Sequence, residues 1–408
     1  MRRWVTVLSV AALMLAFLPE GHASTVRWTR HAGTAVFAAA AGPKGVVYAT
    51  GKRPVGITVE AMLIKYGPNG ARLWTRTWLP SQQTSTIGVG VAVASDGVVY
   101  MVGSVQGGCE GGSWFIRAYS PSGALLHAYE RPNPGFCTVS ETVFGIAVNG
   151  SQVVVAGMSN GCCGDPTEDG WVRSFSRALA PMWTAPFEPP APTPTSFFDR
   201  ATGVAIGPSG SVFVSGWAAT KAVPSSSEGV DSPGTVILEK LTPTGHVLWS
   251  RRPGVPVPGE LGVISVAARG GRVMVTAPAG GLVPSIFWGP KIALSRIWLG
   301  WFTPGGALVR SWNWATKRKD AAEPLGVSID AKLRTWVVGT QRDPADGGLN
   351  AFVTTFGAGG RRIGSLQIGN TKFVQGTGVA TRFGAFATGF TSDKNGEWKT
   401  GHVWRLVG

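Results

Sequence analysis

Four acidic residues recur at one kind of position along the chain. Glu141, Asp199, Glu260 and Glu323 each precede an apolar segment by three or four residues, in a sequence with only 22 Asp and Glu. Carboxylates brought together supply the hard oxygen ligands that Ca²⁺ and Mg²⁺ prefer. We predict that the four residues ring the mouth of a channel and form a cation or polar-ligand site. The alternative is a wet channel mouth where they pair with neighbours such as Arg200.

Tryptophans form a second candidate set. Trp114, Trp171 and Trp398 lie in or beside long segments between apolar runs, where an indole ring could stack on a sugar ring. The alternative is that these rings pack underneath the connecting segments, as large aromatic side chains commonly do. We include the three as candidate ligand-binding residues.

Residues for covalent or acid–base catalysis are scarce. His31, His127, His246 and His402 have no nearby Ser or Cys with the surroundings of a nucleophile. The glycine-rich stretches are typical of turns between strands, and no phosphate-binding loop occurs. The sequence therefore predicts no catalytic residue, no firm cofactor and no specific nucleic-acid site.

The four cysteines are Cys109, Cys137, Cys162 and Cys163. An even number of cysteines in an exported chain indicates disulfides, and the adjacent pair Cys162–Cys163 does not have the usual spacing of zinc ligands. Cys109–Cys137 is one pairing, but the connectivity stays open.

The N-terminal segment has the features of a secretory signal peptide. A basic start, an apolar run from Val5 to Leu18 that is too short to span a bilayer, and small residues before Ser24 predict cleavage after Ala23. We expect residues 24–408 to be secreted, extracellular or periplasmic, with no transmembrane segment after cleavage. The net charge of +15 is spread along the chain and is compatible with a simply cationic surface.

An internal repeat determines how these residues are positioned. A short apolar strand ends in Gly at intervals of 50 to 62 residues, with Ala277 as the one substitute. Its members end at Gly51, Gly103, Gly157, Gly216, Ala277, Gly339 and Gly389. Each interval is long enough for four short strands with their turns, which is the size of one β-propeller blade.

The last repeat is incomplete at the C-terminus. His402–Leu406 matches a third strand, and the missing fourth strand is found at the other end, where Thr25–Arg30 resembles Arg72–Arg76. The sequence thus predicts one all-β domain over 24–408. It is a seven-bladed propeller, monomeric, with its last blade closed by the N-terminal strand.

The repeat resembles the bacterial SBBP-type propeller repeats and the related quinoprotein-like superfamily, with Gly207 to Trp249 as the best single match. This resemblance implies a fold and says little about activity.

Within each repeat the turns between strands one and two and between strands three and four are short. The other connections are long and dissimilar. We expect a non-catalytic module that binds a cell-surface glycan, wall polymer or envelope protein through the long connections. The alternative is a metal-assisted lyase or hydrolase at the acidic channel mouth.

Overall fold

The computed structural model describes fifteen segments of the chain: residues 25–33, 35–81, 83–106, 112–131, 140–160, 168–187, 199–219, 234–257, 263–279, 296–314, 322–342, 348–368, 374–381, 384–392 and 398–407. Within them every regular element is a β-strand, apart from one 3-10 turn at Pro43–Gly45. No helix among these residues is long and apolar enough to cross a membrane. The predicted all-β class is confirmed.

The strands are numbered in chain order. The first thirteen are β1 (Thr25–His31), β2 (Ala35–Ala41), β3 (Val47–Val55), β4 (Thr58–Tyr66), β5 (Arg72–Trp78), β6 (Ser85–Val93), β7 (Val99–Gln106), β8 (Ser113–Tyr119), β9 (Leu125–Glu130), β10 (Ser140–Val148), β11 (Gln152–Asn160), β12 (Glu168–Ser176) and β13 (Pro181–Phe187). The others are β14 (Asp199–Ile206), β15 (Val212–Ala219), β16 (Gly234–Leu241), β17 (Val247–Arg251), β18 (Pro256–Val257), β19 (Ser265–Arg269), β20 (Arg272–Ala279), β21 (Arg296–Phe302), β22 (Leu308–Trp314), β23 (Ala322–Ile329), β24 (Thr335–Arg342), β25 (Leu349–Phe356), β26 (Arg362–Ile368), β27 (Val374–Ala380), β28 (Ala385–Ser392) and β29 (Trp398–Val407).

Backbone hydrogen bonds divide the described strands into six antiparallel sheets. Four consecutive strands form a meander in β10–β13, β14–β17, β19–β22 and β23–β26, and β18 adds to β16. The sheet of β2–β9 has eight strands because one parallel pair, Val59 opposite Ser85, joins β4 to β6. Backbone pairing therefore gives six sheets rather than seven separate ones.

The two ends of the described chain meet in the remaining sheet. β1 runs antiparallel to β29 from Thr25 opposite Val407 to His31 opposite His402, and it completes the sheet of β27–β29. The pairing of the N-terminal with the C-terminal strand is therefore present, as the sequence predicts. It leaves no unpaired edge on the outer side of β29.

The sheets are arranged around a common axis. The first strand of each four-strand group contacts the first strand of the next, in the closed cycle β2, β6, β10, β14, β19, β23, β27 and back to β2. The hydrophobic clusters lie between neighbouring sheets: one combines Tyr100 and Ile116 with Val155 and Phe175. This radial arrangement is a β-propeller, with its core between the sheets.

The repeated glycine of the second strand is explained by a close backbone approach. A Cβ atom on Gly216 would overlap the carbonyl oxygen of Arg200 in the first strand, next to a β-bulge. Gly51, Gly103, Gly157, Gly339 and Gly389 are in the same situation. The β19–β20 pairing has no register shift, which fits the presence of Ala277 in that group. The sequence repeat is thus a steric requirement of the bulge.

A second repeated contact joins four of the outer strands, β1, β5, β13 and β17, to the next group. Trp74 Nε1 donates to the carbonyl of Pro121 at 3.1 Å, and Arg76 Nε donates to the carbonyl of Gly123 at 2.6 Å. The Arg76 guanidinium also lies over the Trp74 ring, 5.5 Å from its centroid. Trp28, Trp183 and Trp249 make the same bond to Pro68, Pro243 and Pro304. We call this contact the Trp–turn latch; it fixes an outer strand of one group against a short turn of the next.

Candidate functional site

The acidic residues lie inside the first strands, and they do not share one register. Glu141 is opposite Ser159 and Asp199 is opposite Ala218, each two residues before a bulge. Glu323 is opposite Thr340 and only one residue before its bulge. Because side chains alternate along a strand, this one-residue difference turns Glu323 to the other side of its strand. The three residues therefore do not form one ring of equivalent positions.

Glu141 is held by a network of positive and polar groups. Its carboxylate is 4% exposed. The side chain accepts two bonds from Arg173 at 2.8 Å each, an ion pair from Arg131 at 2.7 Å and a bond from Trp114 Nε1 at 2.9 Å. Trp114 lies in the preceding sheet and Arg131 directly follows the last strand of that sheet, so the carboxylate bridges two sheets. Both carboxylate oxygens are already bonded to donors, which is the geometry of a charge-assisted structural pair.

Trp114 and Trp171 are buried together beside this network. Their rings stack with centroids 5.4 Å apart, and the Arg173 guanidinium lies 4.4 Å from the Trp171 centroid. Trp114 is 0% and Trp171 is 4% exposed. A sugar ring has no free indole face to stack on in this arrangement. The ligand-binding role predicted for the pair would therefore require the cluster to open.

Asp199 joins two sheets in a different way. Its Oδ1 atom accepts a hydrogen bond from the backbone nitrogen of Gly170 in the preceding sheet. A Cβ at position 170 would contact that same oxygen, so only Gly allows the carboxylate to come this close. Asp199 is 6% exposed and serves as an inter-sheet acceptor.

Glu323 has a different environment. It is 7% exposed, and no hydrogen bond or ion pair joins its side chain to the described residues. Its cross-strand neighbour Thr340 accepts a bond from the Gly376 nitrogen, so this side of β23 faces the sheet of β27. Burial raises the pKa of Glu323 from 4.5 to about 8. At neutral pH the side chain is therefore a protonated carboxylic acid, which can donate as well as accept.

Among the described residues, no three His, Cys, Asp or Glu side chains lie close enough to share a metal ion. Glu260 and the four cysteines lie outside the described residues, and Trp398 begins β29 opposite Ser392. The predicted Ca²⁺ or Mg²⁺ site and the disulfides therefore stay predictions.

Sequence reasoning missed the cationic partners and one cavity. Trp171 and Arg173 are two residues apart on β12, a spacing that places both on one side of a strand and repeats in Trp74 and Arg76. That Trp-x-Arg pattern was the available signal. A cavity of about 390 Å³ opens beside the network, lined by Tyr129, Arg173, Ser174, Phe175, Pro181, Met182, Trp183 and Thr184. Its size lies within the usual range for small-molecule pockets.

No family model and no curated protein matches the chain. Solved structures with a similar fold include the β-propeller domain of the trilobed protease from Pyrococcus furiosus, with 9% identity, a TM-score of 0.49, and coverage of 92% of this chain and 96% of that one. A protein of unknown function from Dyadobacter fermentans has 9% identity, a TM-score of 0.49, and coverage of 95% and 99%. The Synechocystis apocarotenoid oxygenase has 12% identity, a TM-score of 0.44, and coverage of 86% and 96%. At this level of similarity the activities of these proteins say nothing about this chain.

Proposed function

We propose that the chain is an exported, monomeric, seven-bladed β-propeller that binds a cell-surface glycan, a wall polymer or an envelope protein, without catalysis, through the face of its long connections. Seven blades follow if the eight-stranded sheet is divided at its single parallel pair, Val59 opposite Ser85, because each half is then a four-strand meander like the others. This division also agrees with the SBBP-type repeat.

The contrast between the two faces of the propeller is the observation that carries the binding proposal. In an antiparallel meander the turns one-to-two and three-to-four fall on one side, and the other connections on the opposite side. The short turns close on themselves, as in the bond from Gly123 to the Ser120 carbonyl, and the Trp–turn latches join them. The strand ends on the opposite side are joined by sequences of very different length, such as residues 107–112 and 220–233. A uniform scaffold with varied connections on one face is typical of binding proteins.

The binding proposal is tested by shortening two long connections. Residues 220–233 and 280–295 are each replaced by a short Gly/Asn turn, and binding to a glycan array and to purified wall polymers is measured. The control changes Pro208→Ala and Ser209→Ala in a short turn of the opposite face. We expect both proteins to melt as the unmodified protein does, and only the shortened one to lose binding. Undiminished binding by the shortened protein would overturn the proposal.

A second candidate function is a lyase or hydrolase acting at the mouth of the central channel. The observation that favours it is Glu323, because a buried carboxyl group with a raised pKa is a common general acid. A turnover assay on polysaccharide fragments, with and without a chelator, tests this candidate. Activity that Glu323→Gln abolishes would replace the non-catalytic proposal, and activity lost on chelation would add the predicted metal.

Export is tested separately. The N-terminal sequence of the protein recovered outside the cytoplasm should begin at Ser24. A protein that keeps residues 1–23 and stays in the cytoplasm would contradict this part of the proposal.

A further inference from the structure

A cluster of cations occupies the short-turn side of the two groups β19–β22 and β23–β26. Its members, which we call the basic patch, are Arg269, Arg272, Arg310, Lys332, Arg361 and Arg362. All six lie in a short turn or within two residues of one end of an adjoining strand. Four of them, Arg310, Lys332, Arg361 and Arg362, are exposed.

Contacts between the turns show that the basic patch is continuous. Arg272 Nη1 donates to the carbonyl of Ala358, in the turn that also contains Arg361. Arg310 Nη1 donates to the Gly359 carbonyl of the same turn at 3.4 Å. Gly270, between Arg269 and Arg272, lies against the side chain of Leu333, next to Lys332. Three short turns from neighbouring groups therefore present their cations side by side.

No carboxylate balances the basic patch within the described residues. Asp330 is the acidic residue of these turns, and it is bound to Arg334 at 2.6 Å and to Trp336 Nε1 at 3.1 Å. Its negative charge is therefore already matched by Arg334, which we do not count in the patch. The six cations form no ion pair among the described residues.

The positive charge of the short-turn side is distributed unevenly. In the described short turns between β6 and β17, Asp96 and Arg177 form an ion pair at 2.7 Å, and the remaining ionisable group is His246. Within two residues of the strand ends that adjoin these turns lie His127, Glu239, Lys240 and Arg117, the last in an ion pair with Glu130. A flat lipid bilayer would contact all the turns at once, and the sector between β6 and β17 offers it little net positive charge. A narrow chain of regularly spaced anions needs only a local row of cations. Guanidinium groups match phosphate oxygens in a two-pronged geometry.

We propose that the basic patch is a second binding surface, which takes a linear polymer of phosphodiester-linked units. It lies on the side opposite the long connections, so this inference does not depend on the function proposed above. A polymer bound to the basic patch would hold the propeller with its long connections directed away from the polymer.

The test measures the affinity of purified protein for fluorescently labelled linear poly(glycerol phosphate) by anisotropy at several salt concentrations. The patch variant combines Lys332→Gln, Arg361→Gln and Arg362→Gln. The control combines Arg27→Gln, Lys44→Gln and Arg72→Gln. These three are also exposed, lie towards the short-turn side, and remove the same total charge.

We expect the patch variant to bind about tenfold more weakly at moderate salt, since exposed ion pairs contribute little individually. The slope of log affinity against log salt should fall by roughly 2, because each lost phosphate contact removes somewhat less than one released counterion. The control should stay within about twofold of the unmodified protein. The double variant Arg361→Gln/Arg362→Gln, with a loss of about fivefold, replaces the triple variant if melting shows that the triple variant is not folded.

Four results would overturn the proposal. The first is that the unmodified protein shows no salt-dependent binding of poly(glycerol phosphate), and the second is that the two triple variants lose affinity equally. The third is that dextran sulfate binds as tightly as poly(glycerol phosphate), and the fourth is that the protein prefers phosphatidylglycerol vesicles to the polymer. Equal losses would indicate diffuse attraction to a cationic surface, and dextran sulfate binding would indicate charge density without phosphate recognition. Vesicle preference would make the patch a membrane contact.

Discussion

Replacing Glu323 by Gln should remove a pH-dependent cost of folding. Glu323 is 7% exposed, its side chain has no hydrogen bond to the described residues, and its pKa is raised from 4.5 to about 8. An acid whose pKa is raised in the folded state binds its proton more tightly there than in the unfolded chain. The resulting stability is complete below pH 4.5 and is lost progressively as the pH rises through about 8.

The size of the effect follows from the same two pKa values. One unit of pKa difference corresponds to about 1.36 kcal/mol, so the free energy of unfolding falls by about 1 kcal/mol at pH 5 and about 3 kcal/mol at pH 7, relative to strongly acidic pH. Glu323→Gln keeps the shape of the neutral acid and cannot ionise. The variant should therefore exceed the unmodified protein in stability by a difference that grows by roughly 1 kcal/mol per pH unit between pH 5 and 7.

Urea unfolding at pH 5, 6, 7 and 8 measures this difference, with Glu130→Gln as the control. Glu130 is an exposed carboxylate in an ion pair with Arg117 at 3.2 Å, so its replacement should change stability little and equally at each pH. Infrared difference spectra provide a direct check, since the protonated carboxyl band at pH 7 should disappear in the Glu323 variant. The reasoning is wrong if the stability difference is independent of pH, or if the control shows the same slope.

Three further predictions concern the scaffold, each measured by urea unfolding. Glu141→Gln should destabilise the protein by about 3–5 kcal/mol, because it leaves the guanidinium groups of Arg131 and Arg173 without their counter-ion. A change below about 1 kcal/mol would show that water, and not Glu141, solvates these two groups. Trp74→Phe should cost about 1 kcal/mol through the lost hydrogen bond of its latch, while Leu73→Ala at the neighbouring exposed site should cost less than about 0.5 kcal/mol. Gly216→Ala should prevent stable folding because its Cβ overlaps a backbone carbonyl, whereas Gly150→Ala, with open space around it, should be tolerated.

Much of the fold could be predicted because its constraints are local and repeated. The glycine that ends each second strand sits where a Cβ would strike the first strand, so the repeat is visible in the sequence. The match between Thr25–Arg30 and Arg72–Arg76 likewise indicated the pairing of β1 with β29. The joining of β4 to β6 could not be predicted, because it rests on one parallel residue pair, Val59 opposite Ser85. The position of that pair depends on the path of the connection between β5 and β6, which no repeated pattern in the sequence reports.

The candidate site was less predictable because it depends on register and on distant partners. A count of residues before an apolar segment placed Glu141 and Glu323 in equivalent positions, but a one-residue difference relative to the bulge turns them to opposite sides. The partners of Glu141 come from two strands and one connection, at separations that no local pattern links. Sequence spacing can thus locate a polar strand end without showing which sheet its side chain meets.

The contrast between Glu141 and Glu323 indicates where chemistry at the strand ends would occur. Glu141 faces two guanidinium groups and an indole N–H, so its charge is matched and its oxygens are bonded. A buried pair of this kind contributes little net stability once desolvation is included, but removal of one member is costly, so its effect is to fix two sheets in one register. Glu323 is also buried, but its side chain has no such partners among the described residues. Because its pKa is raised to about 8, it keeps its proton at neutral pH, where ordinary carboxyl groups are ionised. Of Glu141, Asp199 and Glu323, only Glu323 has a side chain without a hydrogen-bond partner among the described residues, so a search for a ligand that brings an acceptor or a cation to the start of β23 should begin there.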